Sequence, residues 1–167
     1  MDFEQGMWLA NARAAPGVVH NYTADLKRGT LVRTKADFCS CEFPSVHPEI
    51  AGKRWRYAYL MASDSPQKPI PFQEIVKFDR EGLRRQVWSA RAEFSILGEP
   101  VFVPRPGLNR EEDDGWVITQ LYDCKRHETQ FVVLDARNLG HGPVARAKLA
   151  HHTPYGFHGT FTPEVFY

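Results

Sequence analysis

The segment Pro154-Tyr155-Gly156-Phe157-His158-Gly159-Thr160-Phe161 sets one histidine among aromatics, with a glycine on either side. Glycine permits positive φ and close approach of the backbone, so the imidazole of His158 can be held at a constricted, dry point. A neutral imidazole in such a place is either a hydrogen-bonded core filler or a metal ligand. Two glutamates occupy equally apolar settings: Glu42 in Cys41-Glu42-Phe43-Pro44, and Glu99 in Leu97-Gly98-Glu99-Pro100. A buried carboxylate is costly unless it is paired. One that accepts the spare N–H of a metal-bound histidine is paired and also orients the ring. The plainer reading is that each glutamate caps a turn at the surface, the commoner fate of this residue.

The remaining histidines offer less. His151 and His152 are adjacent, so in a strand they point to opposite faces and share a metal poorly. A zinc hydrolase built on them and His158 also lacks a nearby general base. His127 falls in a charged turn, His141 in a Gly-rich loop, His47 before Pro48, and His20 in an ordinary half-exposed ladder. Cys39 and Cys41 have the look of half a metal or redox pair, but no second pair follows. Three cysteines make no disulfide framework, and buried thiols in a reducing, intracellular compartment are the simpler account. No nucleophile elbow, phosphate-binding loop, dinucleotide fingerprint or HExxH motif occurs.

The elements that must position these residues read as strands. Twelve prolines and twelve glycines punctuate the chain every few residues, and between them lie runs rich in Val, Ile, Tyr, Phe and Trp. The spacing predicts strands over Val18–Leu26, Thr30–Thr34, Trp55–Met61, Glu74–Asp79, Arg84–Ser89, Pro100–Pro104, Trp116–Asp123, Gln130–Asp135 and Val144–Leu149. Alternating aromatics in Trp55–Met61 predict one buried face. Asp123–Glu128 reads as the polar turn of a hairpin. Asp25–Gly29 is an Asp-x-x-x-Gly turn, and Asp79–Gly82 a shorter cousin. The stretch Asn109–Gly115 reads as a solvated loop with an acidic surface. Many short strands at even spacing point to an all-β sandwich, barrel or propeller.

Bulk properties narrow the function classes. The 167 residues suffice for one domain with a core. A net charge of +1 gives no global field for nucleic acid, and no apolar run approaches the roughly 20 residues of a spanning helix. The opening residues lack the apolar segment of a signal peptide, and early Asp2 and Glu4 argue against a transit peptide.

Several strings, taken in order, resemble the carotenoid cleavage oxygenases, the family that also holds the retinal pigment epithelium isomerase-like proteins. Glu42-Phe43-Pro44 followed by Arg54-Trp55-Arg56-Tyr57-Ala58-Tyr59 is similar to their EFP … RYRYGY segment. Gly98-Glu99-Pro100-Val101-Phe102-Val103-Pro104-Arg105-Pro106 is similar to GEPVFVPRP, with Glu112-Asp113-Asp114-Gly115 after it. Leu134-Asp135-Ala136-Arg137, Gly142-Pro143-Val144-Ala145-Arg146 and Gly156-Phe157-His158-Gly159-Thr160-Phe161 complete the order. Ser45 departs from the usual EFPRI. The likeness runs over about residues 18–161 and implies that 1–167 is a single, partial domain.

That resemblance implies the C-terminal blades of a seven-bladed β-propeller carrying Fe(2+) on its axis, held by four histidines. His158 corresponds to the last of those ligands. Glu42 and Glu99 correspond to glutamates that hydrogen-bond ligand histidines: Glu99 would orient His158, and Glu42 a histidine absent from this chain. The implied reaction inserts O2 across a conjugated C=C bond of a carotenoid or apocarotenoid and gives two carbonyl products. Tyr155, Phe157 and Phe161 then either line the substrate tunnel or belong to the propeller core. Peripheral membrane contact is implied for the full-length protein, and plastid and cytoplasm are not distinguished. The other three ligands lie upstream in family members. One imidazole holds iron poorly, because affinity comes from convergent ligands. The chain alone is therefore expected to be inactive and poorly soluble, with exposed sheet edges. The alternative is a non-catalytic β-rich module of the same descent that binds a carotenoid or a partner.

Overall fold

The computed structural model describes residues 17–63, 65, 71–90, 94–107, 111–156 and 158–165, without the side chains of 36–39. Phe157 and the first 16 residues lie outside the described set. The chain is all-β, as its composition and punctuation predict. Among the described residues there are eleven strands: β1 Val18–Asp25, β2 Thr30–Cys39, β3 Cys41–Ser45, β4 Tyr57–Ala62, β5 Glu74–Asp79, β6 Arg84–Ser89, β7 Phe94–Ile96, β8 Val101–Pro104, β9 Gly115–Asp123, β10 Glu128–Asp135 and β11 Pro143–Lys148. Two single 3-10 turns, Pro48–Ile50 and Leu139–His141, are the helical content among them.

β1 and β2 form a two-stranded ribbon. β3-β4-β5-β6 is an antiparallel meander, and β11-β10-β9 is a second one. The far edge of β9 is shared by two short strands. β7 pairs with Leu121–Asp123 and β8 with Gly115–Ile118. They are two halves of one edge, broken at Leu97–Pro100. Gly115 lets β8 run close to β9: a Cβ there would lie 2.5 Å from the carbonyl oxygen of Val103.

The two meanders share one core. Tyr59, Met61, Ile75 and Trp88 of the first pack with Ile96, Phe102, Val117, Leu121, Val132 and Leu134 of the second. The phenol of Tyr59 donates to the Ala136 carbonyl at 3.1 Å and its ring stacks on Phe102. Burial pushes that phenol far above the ordinary tyrosine range. The alternation in Trp55–Met61 predicts one buried face, and the structure buries both. Ala58, Leu60 and Ala62 enter a second cluster with Val76 and Phe78, because β4 is an interior strand between two apolar layers.

The hairpin turns share one device. Asp25, Asp79 and Asp123 each accept two backbone N–H groups from residues two and three further on. The residue four beyond each aspartate is left-handed: Gly29, Leu83 and His127. In the second turn the left-handed position is thus Leu83, not Gly82. The acidic stretch is also corrected. Glu112 and Asp113 are half-buried and Asp114 is fully buried. Glu112 accepts the N–H groups of Arg56 and Tyr57 at 2.7 Å each, and Asp114 faces Arg105 and Arg137. The run is an anchor between the meanders rather than a solvated face, because basic and backbone donors converge on it from both.

Candidate functional site

Glu99 projects from the break between β7 and β8. Pro100 has no N–H to continue the ladder, and the hydroxyl of Thr119 on β9 donates to the Gly98 carbonyl at 2.8 Å. The edge is therefore fixed on both sides of Glu99 while its side chain is released from strand alternation. Neither the break nor Thr119 is visible as a signal in the local sequence, beyond Gly98 and Pro100 flanking the glutamate.

After β11 the chain runs back over β9 without forming a strand. The N–H of Thr153 donates to Thr129 Oγ1 at 2.9 Å and its hydroxyl reaches Gln120. The Gly156 N–H donates to the Leu97 carbonyl at 3.1 Å. The Gly159 N–H donates to Glu99 Oε1 at 2.6 Å. Between the last two contacts lies His158, whose Nδ1 stands 3.4 Å from Glu99 Oε2. One carboxylate thus grips the segment twice, through a ring nitrogen and through the next amide.

The two sequence candidates His158 and Glu99 are brought together, across 59 residues of chain. Glu42 is not placed with them. It is exposed on β3 and lines a separate cleft with Gly17, Val18 and His20. The glycines around His158 do not work as the sequence suggests. Neither Gly156 nor Gly159 has positive φ, and a Cβ on either would meet open space. Within this chain the His158 side chain is 78% exposed, against 17% for Glu99.

The cleft beside His158, about 320 Å³, is lined by Val101, Ile118, Phe131 and Phe161 with Glu99 at its margin. A second of about 540 Å³ lies on the other side of Glu99 and Phe161, walled by Val46, Pro48, Phe102 and Pro104. Tyr155 and Phe161 are both partly exposed, and burial raises the Tyr155 phenol. The rings of Phe43, on β3, and His158 meet in a T-shaped contact at a centroid distance of 5.7 Å.

A carboxylate only accepts, so in the neutral ring the pairing with Glu99 puts the proton on Nδ1 and leaves the Nε2 lone pair free. That is the form in which an imidazole binds a metal, and the pair fits one corner of a metal site. Among the described residues, no group of three or more His, Cys, Asp or Glu side chains could hold an ion. His151 and His152 are exposed and join no such group. Cys41 is buried, with its thiol 3.8 Å from the Gly17 carbonyl; the Cys39 side chain lies outside the described set.

The family model described as retinal pigment epithelial membrane protein matches residues 2–163. The apocarotenoid-15,15'-oxygenase of Synechocystis is 37% identical over 146 residues, covering 87% of this chain and 29% of that protein. The zeaxanthin 7,8(7',8')-cleavage dioxygenase of Crocus sativus is 38% identical, covering 84% and 39%. A solved mutant of the Synechocystis apocarotenoid oxygenase superposes with a TM-score of 0.81 at 36% identity, over 88% of this chain and 30% of that one. The cobalt-substituted form of that enzyme gives 0.79 at 37% identity, over 86% and 29%. The chain thus spans between a quarter and two-fifths of the length of these relatives.

Proposed function

Because the chain belongs to the retinal pigment epithelial membrane protein family, that of the carotenoid cleavage oxygenases, we propose that it forms the closing, carboxyl-terminal part of a non-haem Fe(II) dioxygenase. The substrate class is a carotenoid or apocarotenoid, cleaved with O2 at a conjugated C=C bond to give two carbonyl products. The observation that carries this reading is the double grip of Glu99 on Nδ1 of His158 and on the Gly159 amide.

His158 would supply one nitrogen ligand through Nε2, and Glu99 would keep the ring in the required tautomer and orientation. Bound Fe(II) with open positions would supply the activation of O2 that an alkene cannot achieve alone. The apolar walls of the adjoining clefts, from Val101, Phe102, Phe131 and Phe161, suit a polyene. Glu42 would orient a ligand carried by chain outside this sequence.

A chimera tests the reading. The corresponding carboxyl-terminal part of the Synechocystis enzyme is replaced by this chain, and cleavage of an apocarotenal is followed with bound iron. The chimera cleaves, His158→Ala abolishes iron binding and cleavage, and Glu99→Gln lowers activity about 10- to 100-fold. Equal activity of the His158→Ala chimera, with iron retained, would remove His158 from the metal site.

A second reading is a non-catalytic module that binds a carotenoid or a partner. One observation favours it: the apolar walls of the two clefts can receive a polyene without any metal. Pigment co-purifying stoichiometrically with this chain, without iron, is the outcome that would select it.

A further inference from the structure

We propose that Phe43 is a positioning residue for His158, fixing the imidazole from the neighbouring meander while Glu99 fixes it from its own. The inference rests on the reading of His158 as a metal ligand, and three features of Phe43 carry it.

The first is the backbone. Phe43 has φ +54, a conformation rare for a bulky side chain. It also precedes Pro44, and a residue before proline is steered toward extended backbone. Such a conformation persists only where its surroundings enforce it, and such outliers gather at functional sites.

The second is the ladder. Glu42 pairs with Met61 and Ser45 with Tyr59, so three steps on β3 match two on β4. One extra residue is accommodated at Phe43-Pro44. A bulge of this kind re-aims a side chain, and it sits on an edge strand, where proline is tolerated. Regular alternation would not send Phe43 where it goes.

The third is the destination. The Phe43 ring meets the His158 ring at 5.7 Å between centroids and 70° between planes, the edge-to-face geometry aromatic rings prefer. Its other side packs against the core shared by the meanders, so the ring is a rigid abutment. His158 needs one. Its side chain is largely exposed, and its contact to Glu99 is 3.4 Å long. One loose polar contact leaves the imidazole free to pivot about Cβ, and an aromatic ring packed against it removes that freedom.

The experiment is performed by NMR on the metal-free chain, so that failure of this contact and failure of the iron reading are separate results. Nuclear Overhauser cross-peaks are expected between the Phe43 ring and His158 Hδ2 or Hε1, with ring-current displacement of the imidazole protons from their free-histidine shifts and side-chain couplings of a single His158 rotamer. Phe43→Leu loses the displacement and averages the couplings; Phe43→Tyr retains both. A folded Phe43→Leu chain whose His158 keeps one rotamer would overturn the proposal. If Phe43→Leu does not fold, the wild-type chain decides alone, and absence of any Phe43–His158 cross-peak in it overturns the proposal equally. Loss of iron binding in the chimera while the contact persists would count against the iron reading only.

Discussion

Lys77 Nζ lies 2.6 Å from Asp113 Oδ2, with 4% and 16% of the two side chains exposed. Lys77 is on β5 of the first meander and Asp113 on the loop that leads into β9 of the second. The ammonium also lies 4.2 Å from the centre of the Tyr57 ring. With Glu112 on the backbone of Arg56 and Tyr57, two consecutive acids tie the sheets together, while the next, Asp114, holds the loop to its own sheet through Arg105 and Arg137. Those sheets carry Phe43 on one side and Glu99 on the other. The loop therefore sets the spacing on which the His158 site depends.

Removing one partner of such a pair leaves the other charge buried. Asp113→Ala is expected to destabilise the chain by about 3 kcal/mol, and replacing both partners by apolar residues of similar size to restore most of it. Urea denaturation of the single variant and of Lys77→Met/Asp113→Leu measures the difference. A single variant as stable as wild type would show that the pair does not join the meanders.

A second aspartate governs acid stability. The Arg56 guanidinium, donating to both oxygens of Asp79, holds its carboxyl well below the usual carboxylate range; burial opposes this, and the Gly82 and Glu81 amides add to it. A depressed folded-state pKa stabilises the fold above the unfolded value, near 4, and the contribution drains away as pH falls below it toward the folded value. Wild type should lose stability over this acid window, and Asp79→Asn should show a shallower acid limb. Denaturation midpoints from pH 6 down to pH 2 check it. Parallel limbs would mean that the Arg56 pairing contributes nothing to the fold.

Leu83 is 73% exposed with φ +49. Relief of left-handed strain, about 1 kcal/mol, exceeds the roughly 0.5 kcal/mol that glycine adds to unfolded-chain entropy, so Leu83→Gly should stabilise by about 0.5 kcal/mol. Gly29→Ala, at the equivalent position of the first hairpin, should destabilise by a similar or larger amount. A thermal melt of each variant reads the sign, and a destabilised Leu83→Gly would show that the leucine makes compensating contacts.

Local patterns carried part of this architecture. β5 and β6 begin and end where alternation and flanking Asp and Gly predict, because their periodicity and their turns are both local. β3 escaped, since Pro44 interrupts it and only its bulge on an edge strand makes the proline tolerable. The role of Glu112, Asp113 and Asp114 escaped for a different reason. A run of acids looks the same whether water or Lys77, Arg105 and Arg137 face it, and those partners lie up to 36 residues away in the Lys77 pair. The blade assignment came from ordered motifs, not from a repeat period. That His158 and Glu99 meet is legible from the ordered motifs, but the open space around Gly156 and Gly159 is not, because a glycine permits a close approach without requiring one.

The grip of Glu99 itself is open to direct measurement. Oε1 takes the Gly159 amide and Oε2 the His158 ring nitrogen, and a glutamine can keep only the first. The Gly159 amide should exchange slowly for an exposed residue. Glu99→Ala should speed its exchange about tenfold, the equivalent of one charge-assisted hydrogen bond partly screened by solvent. Glu99→Gln should preserve the protection, because its amide oxygen still accepts, yet release the histidine. Nitrogen-15 shifts of His158 should then move toward the Nε2–H tautomer that a free imidazole prefers, since no acceptor holds the proton on Nδ1. If Glu99→Gln leaves the tautomer unchanged, the carboxylate does not orient the ring. His158 would then lack the pre-set Nε2 lone pair on which its role as a ligand depends.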